Sequence, residues 1–152
     1  MISARLFRNR FKDKVALLHS GLSAGERFDE WHRLKTGEAM IAVGARSAIF
    51  APLKNIGVII IDEEHDGSYR SETSPRYSTF DIAKFRAEHC GAKLVLGSAT
   101  PAVETYRRAL RGEFFLAELP DRINRRPLPE IIIADMRQEI RRGNHTAFSS
   151  YL

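Results

Sequence analysis

The sequence predicts an α/β domain: strands buried on both faces, mostly parallel and covered by helices, that present their chemistry at their carboxyl ends. Three observations carry that reading. Gly57-Val58-Ile59-Ile60-Ile61 is a continuous, largely β-branched apolar run without the polar alternation of a strand that has one wet face. Lys93-Leu94-Val95-Leu96 repeats the pattern after a helix-like stretch at 81–89. Each run then passes abruptly into polar residues, Asp62-Glu63-Glu64-His65 after the first and Gly97-Ser98-Ala99-Thr100 after the second. In open parallel sheets ligands bind just beyond such strand ends.

The other elements follow in order. Leu6, Phe7 and Phe11 alternate with Arg5, Arg8 and Arg10 in an amphipathic helical spacing with a basic outer face. Val15-Ala16-Leu17-Leu18-His19-Ser20 reads as a short strand ended by Gly21. Ser23 and Glu26 have capping-box spacing, and Phe28, Trp31 and Leu34 give the helix that follows one apolar side until Gly37 stops it, with His32 facing solvent. Ala39-Met40-Ile41-Ala42-Val43 is the next strand and runs into Gly44-Ala45-Arg46-Ser47-Ala48-Ile49-Phe50. The helix at 81–89 places Ile82 and Phe85, with Ala83 or Arg86, beside the core, and residues 103–110 form another whose last turn is basic, as the helix dipole favours. Beyond Glu113, residues 114–119 and 131–134 read as strands, separated by an exposed basic connector holding Arg122, Arg125, Arg126, Pro127 and Pro129. The sequence divides at 120, and the end of the segment 121–152 shows no convincing core of its own.

Composition sets limits. With 152 residues, 43% hydrophobic and 28% charged, the chain fits one globular domain and is neither disordered nor fibrous. It has no run long enough to span a bilayer and no signal-peptide core in its first residues, so a cytoplasmic protein without a membrane partner is expected. Cys90 is alone, which excludes a disulfide or a cysteine zinc cluster within the chain, and it reads as structural at a helix end. A net charge of +5 suits a nucleic-acid partner, because Lys and Arg release counterions from a phosphate backbone.

Candidate chemistry gathers at the strand ends. A carboxylate such as Asp62 can hold magnesium, and a second can orient an attacking water. An acidic turn that merely solubilises a strand or caps a helix is the plainer reading of a single acidic pair; three acids and a histidine after a buried strand favour chemistry. The hydroxyls of Ser98 and Thr100 can hydrogen-bond a neighbouring acidic cluster, although Gly-Ser-Ala-Thr alone is a common helix start. Arg46 and Ser47 beside a helix start can bind a phosphate, or belong to a loop that simply packs Ile49 and Phe50. Tyr69, Arg70, Arg76 and Tyr77 lie in a long connection poor in aliphatic residues, where rings can stack on bases, or merely pin a mobile loop.

The order of these segments resembles motifs II and III of superfamily 2 helicases. The likeness extends through Leu18-His19-Ser20-Gly21-Leu22-Ser23, Val43-Gly44-Ala45-Arg46-Ser47-Ala48-Ile49-Phe50-Ala51-Pro52, Pro75-Arg76-Tyr77 and Arg126-Pro127-Leu128-Pro129 to the PriA family of replication restart helicases. That resemblance implies a RecA-like lobe, truncated on its N-terminal side, of an ATP- and magnesium-dependent 3′ to 5′ DNA helicase acting at stalled forks with other primosome and single-strand-binding proteins. It implies Asp62 as the residue holding the nucleotide's magnesium and Glu63 as the one orienting water. Glu64 and His65 would link the nucleotide site to its surroundings, and Gly97, Ser98, Ala99 and Thr100 would couple hydrolysis to DNA movement. Arg46, Ser47, Tyr69, Arg70, Arg76 and Tyr77 would contact DNA. The family's zinc cysteines belong to a later region.

Two departures stand out. The family continues after Arg-Tyr with His-Ala-Arg-Asp, where this chain has Ser78-Thr79-Phe80-Asp81. No Gly-Lys-Ser or Gly-Lys-Thr occurs, so the phosphate-cradling loop is missing, and Lys35-Thr36 has no glycine loop before it. The expectation is a piece of a larger enzyme that alone neither hydrolyses ATP nor unwinds DNA. Rival readings are a metal-dependent phosphohydrolase built on Asp62, Glu63, Glu64, His65 and His19, and a non-enzymatic DNA- or protein-binding module.

Overall fold

Ser23 shows how closely local chemistry is followed. Its N–H donates to the Glu26 carboxylate at 2.9 Å while its hydroxyl accepts from the Glu26 N–H, a closed capping box that starts a helix. Gly37, at φ +88°, ends that helix in the left-handed conformation that suits glycine. The structure, a computed structural model, describes residues 2–120 and 130–151, and the basic connector expected at 122–129 lies outside them.

The elements run α1 (Ile2–Phe11), β1 (Val15–Leu18), α2 (Ala24–Thr36), β2 (Ile41–Gly44), β3 (Val58–Asp62), α3 (Thr79–Cys90), β4 (Lys93–Gly97), α4 (Val103–Leu110) and α5 (Met136–Arg141). Single 3-10 turns at Arg46–Phe50 and Gly67–Tyr69 follow β2 and β3. The chain separates into two units, residues 1–115 and 116–152. Among the described residues no helix is long and apolar enough to cross a membrane.

The α/β class and the parallel pairing agree with the sequence; the single sheet does not. Strand β1 pairs with β2, Val15 opposite Ile41 and Leu18 opposite Gly44, and β3 pairs separately with β4, Val58 opposite Lys93 and Asp62 opposite Gly97. Side chains, not ladder hydrogen bonds, join the two pairs. Ile49 packs with Ile61 and Ala83, whereas Ala48 and Ala51 of the same segment pack with Ala16, Leu18, Leu34 and Ala39. The turn Arg46–Phe50 thus belongs to both cores.

Burial on both faces is corrected too. Ile61 is 5% exposed, but Val58, Ile60 and Val95, which share the other face, are 52%, 60% and 46% exposed. Helix α3 covers one side of the β3–β4 pair, through Ala83 and the half-buried Ile82. Along α2 the expected apolar side splits: Leu34 is buried while Phe28 and Trp31 are exposed. Residues 114–119 and 131–134 form no strand, because an apolar run becomes a strand only when a partner satisfies its backbone. Cys90 ends α3 as expected, but is exposed, so burial does not account for it.

The second unit has more order than its sequence suggests. Asp135 caps α5 by accepting from the Arg137 N–H, and Glu139, 4% exposed, is a polar centre for the turn that follows. Its carboxylate accepts from Asn144 Nδ2 at 2.9 Å and from the Ser150 N–H and hydroxyl at 2.8 and 3.0 Å. Those donors, Asn144 foremost, hold the carboxyl below its ordinary range.

Candidate functional site

The parallel register puts Asp62 opposite Gly97, so the acidic turn after β3 and the small polar turn after β4 occupy one rim. A Cβ on Gly97 would stand 3.3 Å from Asp62 Oδ1, so glycine there leaves the carboxylate room. Glu63 has φ +50°, a left-handed conformation costing a non-glycine residue about 1 kcal/mol. That turn lets the Glu64 N–H bond the Gly97 carbonyl at 3.0 Å and aims the Glu64 side chain at α4.

Each residue of the acidic run then takes a different partner. The Glu64 carboxylate accepts from the Ala102 N–H at 2.7 Å and the Thr105 hydroxyl at 3.0 Å, capping α4. His65 Nδ1 lies 2.8 Å from the Ser98 hydroxyl oxygen, which also accepts the Thr100 N–H at 3.0 Å. The second ring nitrogen is 3.5 Å from the Thr100 hydroxyl, and a Glu63 carboxylate oxygen is 3.7 Å from Nδ1. The exposed Ala99 offers no polar side chain. The small hydroxylic turn therefore engages the imidazole rather than the acids themselves.

Tyr69 ties the following loop to this rim. Its half-buried hydroxyl donates to the Asp62 carbonyl at 2.7 Å, and its ring packs against the core of Ile49, Ile61 and Ala83. Burial first, then the carboxylates of Asp62, Asp66 and Glu63, push its phenol above the ordinary range. Asp66 accepts from the Ser68 N–H at 2.8 Å and so caps the turn Gly67–Tyr69. The loop closes on itself through an antiparallel bridge between Arg70 and Ser78, a Ser71 N–H to Tyr77 carbonyl bond of 2.8 Å, and a Thr79 hydroxyl to Tyr69 carbonyl bond of 3.0 Å.

The second rim lies at the ends of β1 and β2. Arg46 Nη1 donates to the carbonyls of Ser68 and Arg70 at 3.1 and 2.6 Å, and its guanidinium stands 5.6 Å from the Tyr77 ring centre. Arg86, on the core side of α3, donates to the carbonyls of Ile49 and Ala51 and braces the turn Arg46–Phe50 from behind. Gly44 is required here: a Cβ would land on the Leu18 carbonyl oxygen and 2.9 Å from the Ala48 Cβ.

An open hollow of about 590 Å³ lies against this rim, lined by His19, Arg27, Trp31, Arg46, Phe50 and Tyr77 among others. A smaller one of about 370 Å³ is lined by Arg46, Gly67, Ser68, Arg70, Glu72 and Thr73. Of the six residues expected at DNA, Arg46, Ser47 and Tyr77 line the larger hollow and Arg70 the smaller. Tyr69 turns toward the acidic rim, and Arg76 donates to the Glu72 carbonyl at 3.2 Å. The sequence reading gave Phe28 and Trp31 to the apolar side of α2, offered core packing of Phe50 as the plainer of two readings of its segment, and did not single out Arg27. The basic residue one helical turn before Trp31 was the available signal. Among the described residues no group of three or more His, Cys, Asp or Glu side chains converges as a metal site.

No family model matches the chain. Curated relatives do. The replication restart protein PriA of Bacillus subtilis (strain 168) is 52% identical over 143 residues, covering 94% of this chain and 18% of that protein. The protein of the same name from Synechocystis sp. (strain PCC 6803) is 46% identical over 151 residues, covering 96% and 18%. The chain belongs to the PriA family. A more distant member, the PriA of Haemophilus influenzae Rd, is 36% identical over 138 residues, 90% of this chain and 19% of its own length. The chain therefore spans a fifth or less of the length of the PriA proteins it matches. A match covering 96% of the chain takes in both rims.

Proposed function

We propose that this segment is the part of a RecA-like helicase lobe in which ATP hydrolysis is coupled to DNA movement, in an ATP-dependent 3′ to 5′ helicase of replication restart. The relatives are named for replication restart, which supports the setting. The observation that carries the mechanism is the imidazole of His65 standing between the hydroxyls of Ser98 and Thr100, at 2.8 and 3.5 Å. A displacement of the acidic turn is thereby handed to the turn after β4, and through Glu64 to the start of α4.

Asp62 fits a magnesium ion: it is a hard, exposed oxygen donor beside a glycine, and this ion commonly takes one or two carboxylates together with substrate phosphates. With ATP bound, the metal would neutralise phosphate charge as it develops. Glu63, held out of the strand by its left-handed backbone, would orient the attacking water. On the second rim, Arg46 positions the loop that carries Tyr69 and Tyr77, while Ser47 and Arg70 remain exposed for phosphates of a forked or single-stranded DNA. Other primosome and single-strand-binding proteins are the proposed partners.

The test is made in the full-length protein that carries this segment. Glu63→Gln should abolish DNA-stimulated phosphate release while leaving DNA affinity intact, and unwinding should require a 3′ single-stranded tail. Unchanged turnover in the variant would remove Glu63 from the chemistry. The 152-residue chain has no Gly-Lys-Ser or Gly-Lys-Thr and should release no phosphate from ATP. Turnover by it would overturn the need for that loop.

A further inference from the structure

We infer that Arg108 is a positioning residue for the proposed coupling: it clasps the last turn of α4 to the start of α3, so that a shift delivered to one end of α4 by the acidic turn is passed on at the other. The inference rests on the coupling reading of the β3–β4 rim and adds to it the place where the movement goes. Helix α4 lacks the packing that ordinarily fixes a helix. It buries no residue, and Val103, Tyr106 and Leu110, which share one side, are all exposed. Two side-chain clasps hold it instead. At its start the Glu64 carboxylate takes the Ala102 N–H and the Thr105 hydroxyl, which ties the helix to the acidic turn. At its end the Arg108 guanidinium carbon stands 4.5 Å from the centre of the Phe114 ring and 5.7 Å from that of Phe80, while Nε donates to the Glu113 carboxylate at 2.8 Å. The two rings themselves meet edge to face, 6.4 Å between centres.

The chain is bent to build this second clasp. Gly112, at φ +78°, turns it back after α4, with the Glu113 N–H on the Arg108 carbonyl at 3.0 Å, and so returns Glu113 and Phe114 to the Arg108 side chain. Phe80 is the second residue of α3, the helix that covers the β3–β4 pair through Ala83. The helix dipole alone accounts for a cation near the end of a helix, and the exposed Arg107 and Arg111 ask for nothing more. It does not account for a guanidinium set between two rings with its Nε held by a carboxylate. With both clasps closed α4 has no freedom to pivot, and a shift of the acidic turn reaches α3. With Arg108 removed, α4 hangs from Glu64 and takes up that shift by swinging. Asp62 and Glu63 make no contact with the second clasp, so hydrolysis itself does not need it.

The experiment measures DNA-stimulated phosphate release and strand opening by the full-length protein and takes their ratio, the base pairs opened per ATP hydrolysed. That ratio does not depend on the fraction of molecules that is folded, so a loss of stability alone does not move it. Arg108→Ala should lower the ratio about fivefold, the worth of one cation–π pair at a partly exposed site, and leave kcat and KM for ATP unchanged. Phe80→Leu keeps the apolar bulk without the π-face and should lower it in the same direction. Arg108→Lys keeps the charge without the planar fork and should fall between Arg108→Ala and the unaltered protein, which guards against a folding defect in the larger truncation. The double variant of Arg108→Ala and Phe80→Leu should be little worse than Arg108→Ala alone, as for two halves of one contact. Phosphate release and strand opening falling in proportion, or neither falling, would overturn Arg108 as a positioning residue and leave the coupling reading standing. Absence of DNA-stimulated hydrolysis in the unaltered protein would remove both.

Discussion

The two rims are built alike and finished differently. Both lie at the carboxyl ends of a two-stranded parallel pair, and in both a glycine, Gly44 or Gly97, gives a neighbour space. At the β3–β4 rim the polar groups answer one another: Glu64 with α4, His65 with Ser98 and Thr100, Tyr69 with the Asp62 carbonyl. At the β1–β2 rim rings and cations border an open hollow, and the hydrogen bonds lie behind it, where Arg46 and Arg86 fix backbone. The difference is that side chains bond across strands at one rim and are braced from behind at the other; under the proposed function the first arrangement would transmit movement and the second would present a surface to a ligand.

Substitutions can break that contrast. Gly44→Ala should be the most damaging, because its Cβ has no way past the Leu18 carbonyl. A loss of about 3 kcal/mol or more in urea unfolding of the first unit is expected, the upper range for overpacking. Glu64→Ala should cost about 2 kcal/mol by the same measurement, as α4 loses its cap and Thr105 its acceptor, with the loss concentrated in exchange of the α4 amides. Arg46→Ala should cost about 1 kcal/mol, the worth of its bonds to the loop, and speed amide exchange at Arg70 and Ser71 without touching α4. Equal effects of these two variants on both rims would erase the distinction.

Glu139 sharpens the contrast from outside, as a carboxylate whose work is wholly structural. The unfolded chain's carboxyl takes up its proton near pH ~4.3, and the folded one, held lower by Asn144 and Ser150, only below that. Its stabilisation is therefore complete above that pH and fades as acidity rises through the folded value. The side-chain amide resonances of Asn144 should follow that fade, and Glu139→Gln should remove the acid dependence.

Much of the first unit was legible in the sequence because its signals are local. The Ser23 and Glu26 box, Gly37 as a stop, and the apolar runs of β3 and β4 each act within a few residues. The meeting of Asp62 with Gly97 also followed, since parallel pairing in register carries both strand ends to one edge. What escaped depends on tertiary partners. Whether Val58 and Ile60 are covered, whether 114–119 and 131–134 find a strand to pair with, and whether Trp31 faces core or hollow are not written in the hydropathy of those residues. Arg86 was offered as a residue beside the core, but its role escaped for a related reason: a cation on the core side of a helix declares that role only when the carbonyls it holds are known.

The central claim is that the acidic turn and the hydroxylic turn move as one body. A double-mutant cycle on DNA-stimulated ATP hydrolysis by the full-length protein, with His65→Ala, Ser98→Ala and the pair, tests it most directly. Coupling through the 2.8 Å contact predicts that the double variant is little worse than the poorer single one. If the two losses multiply independently, the rim is an accident of pairing and the account fails.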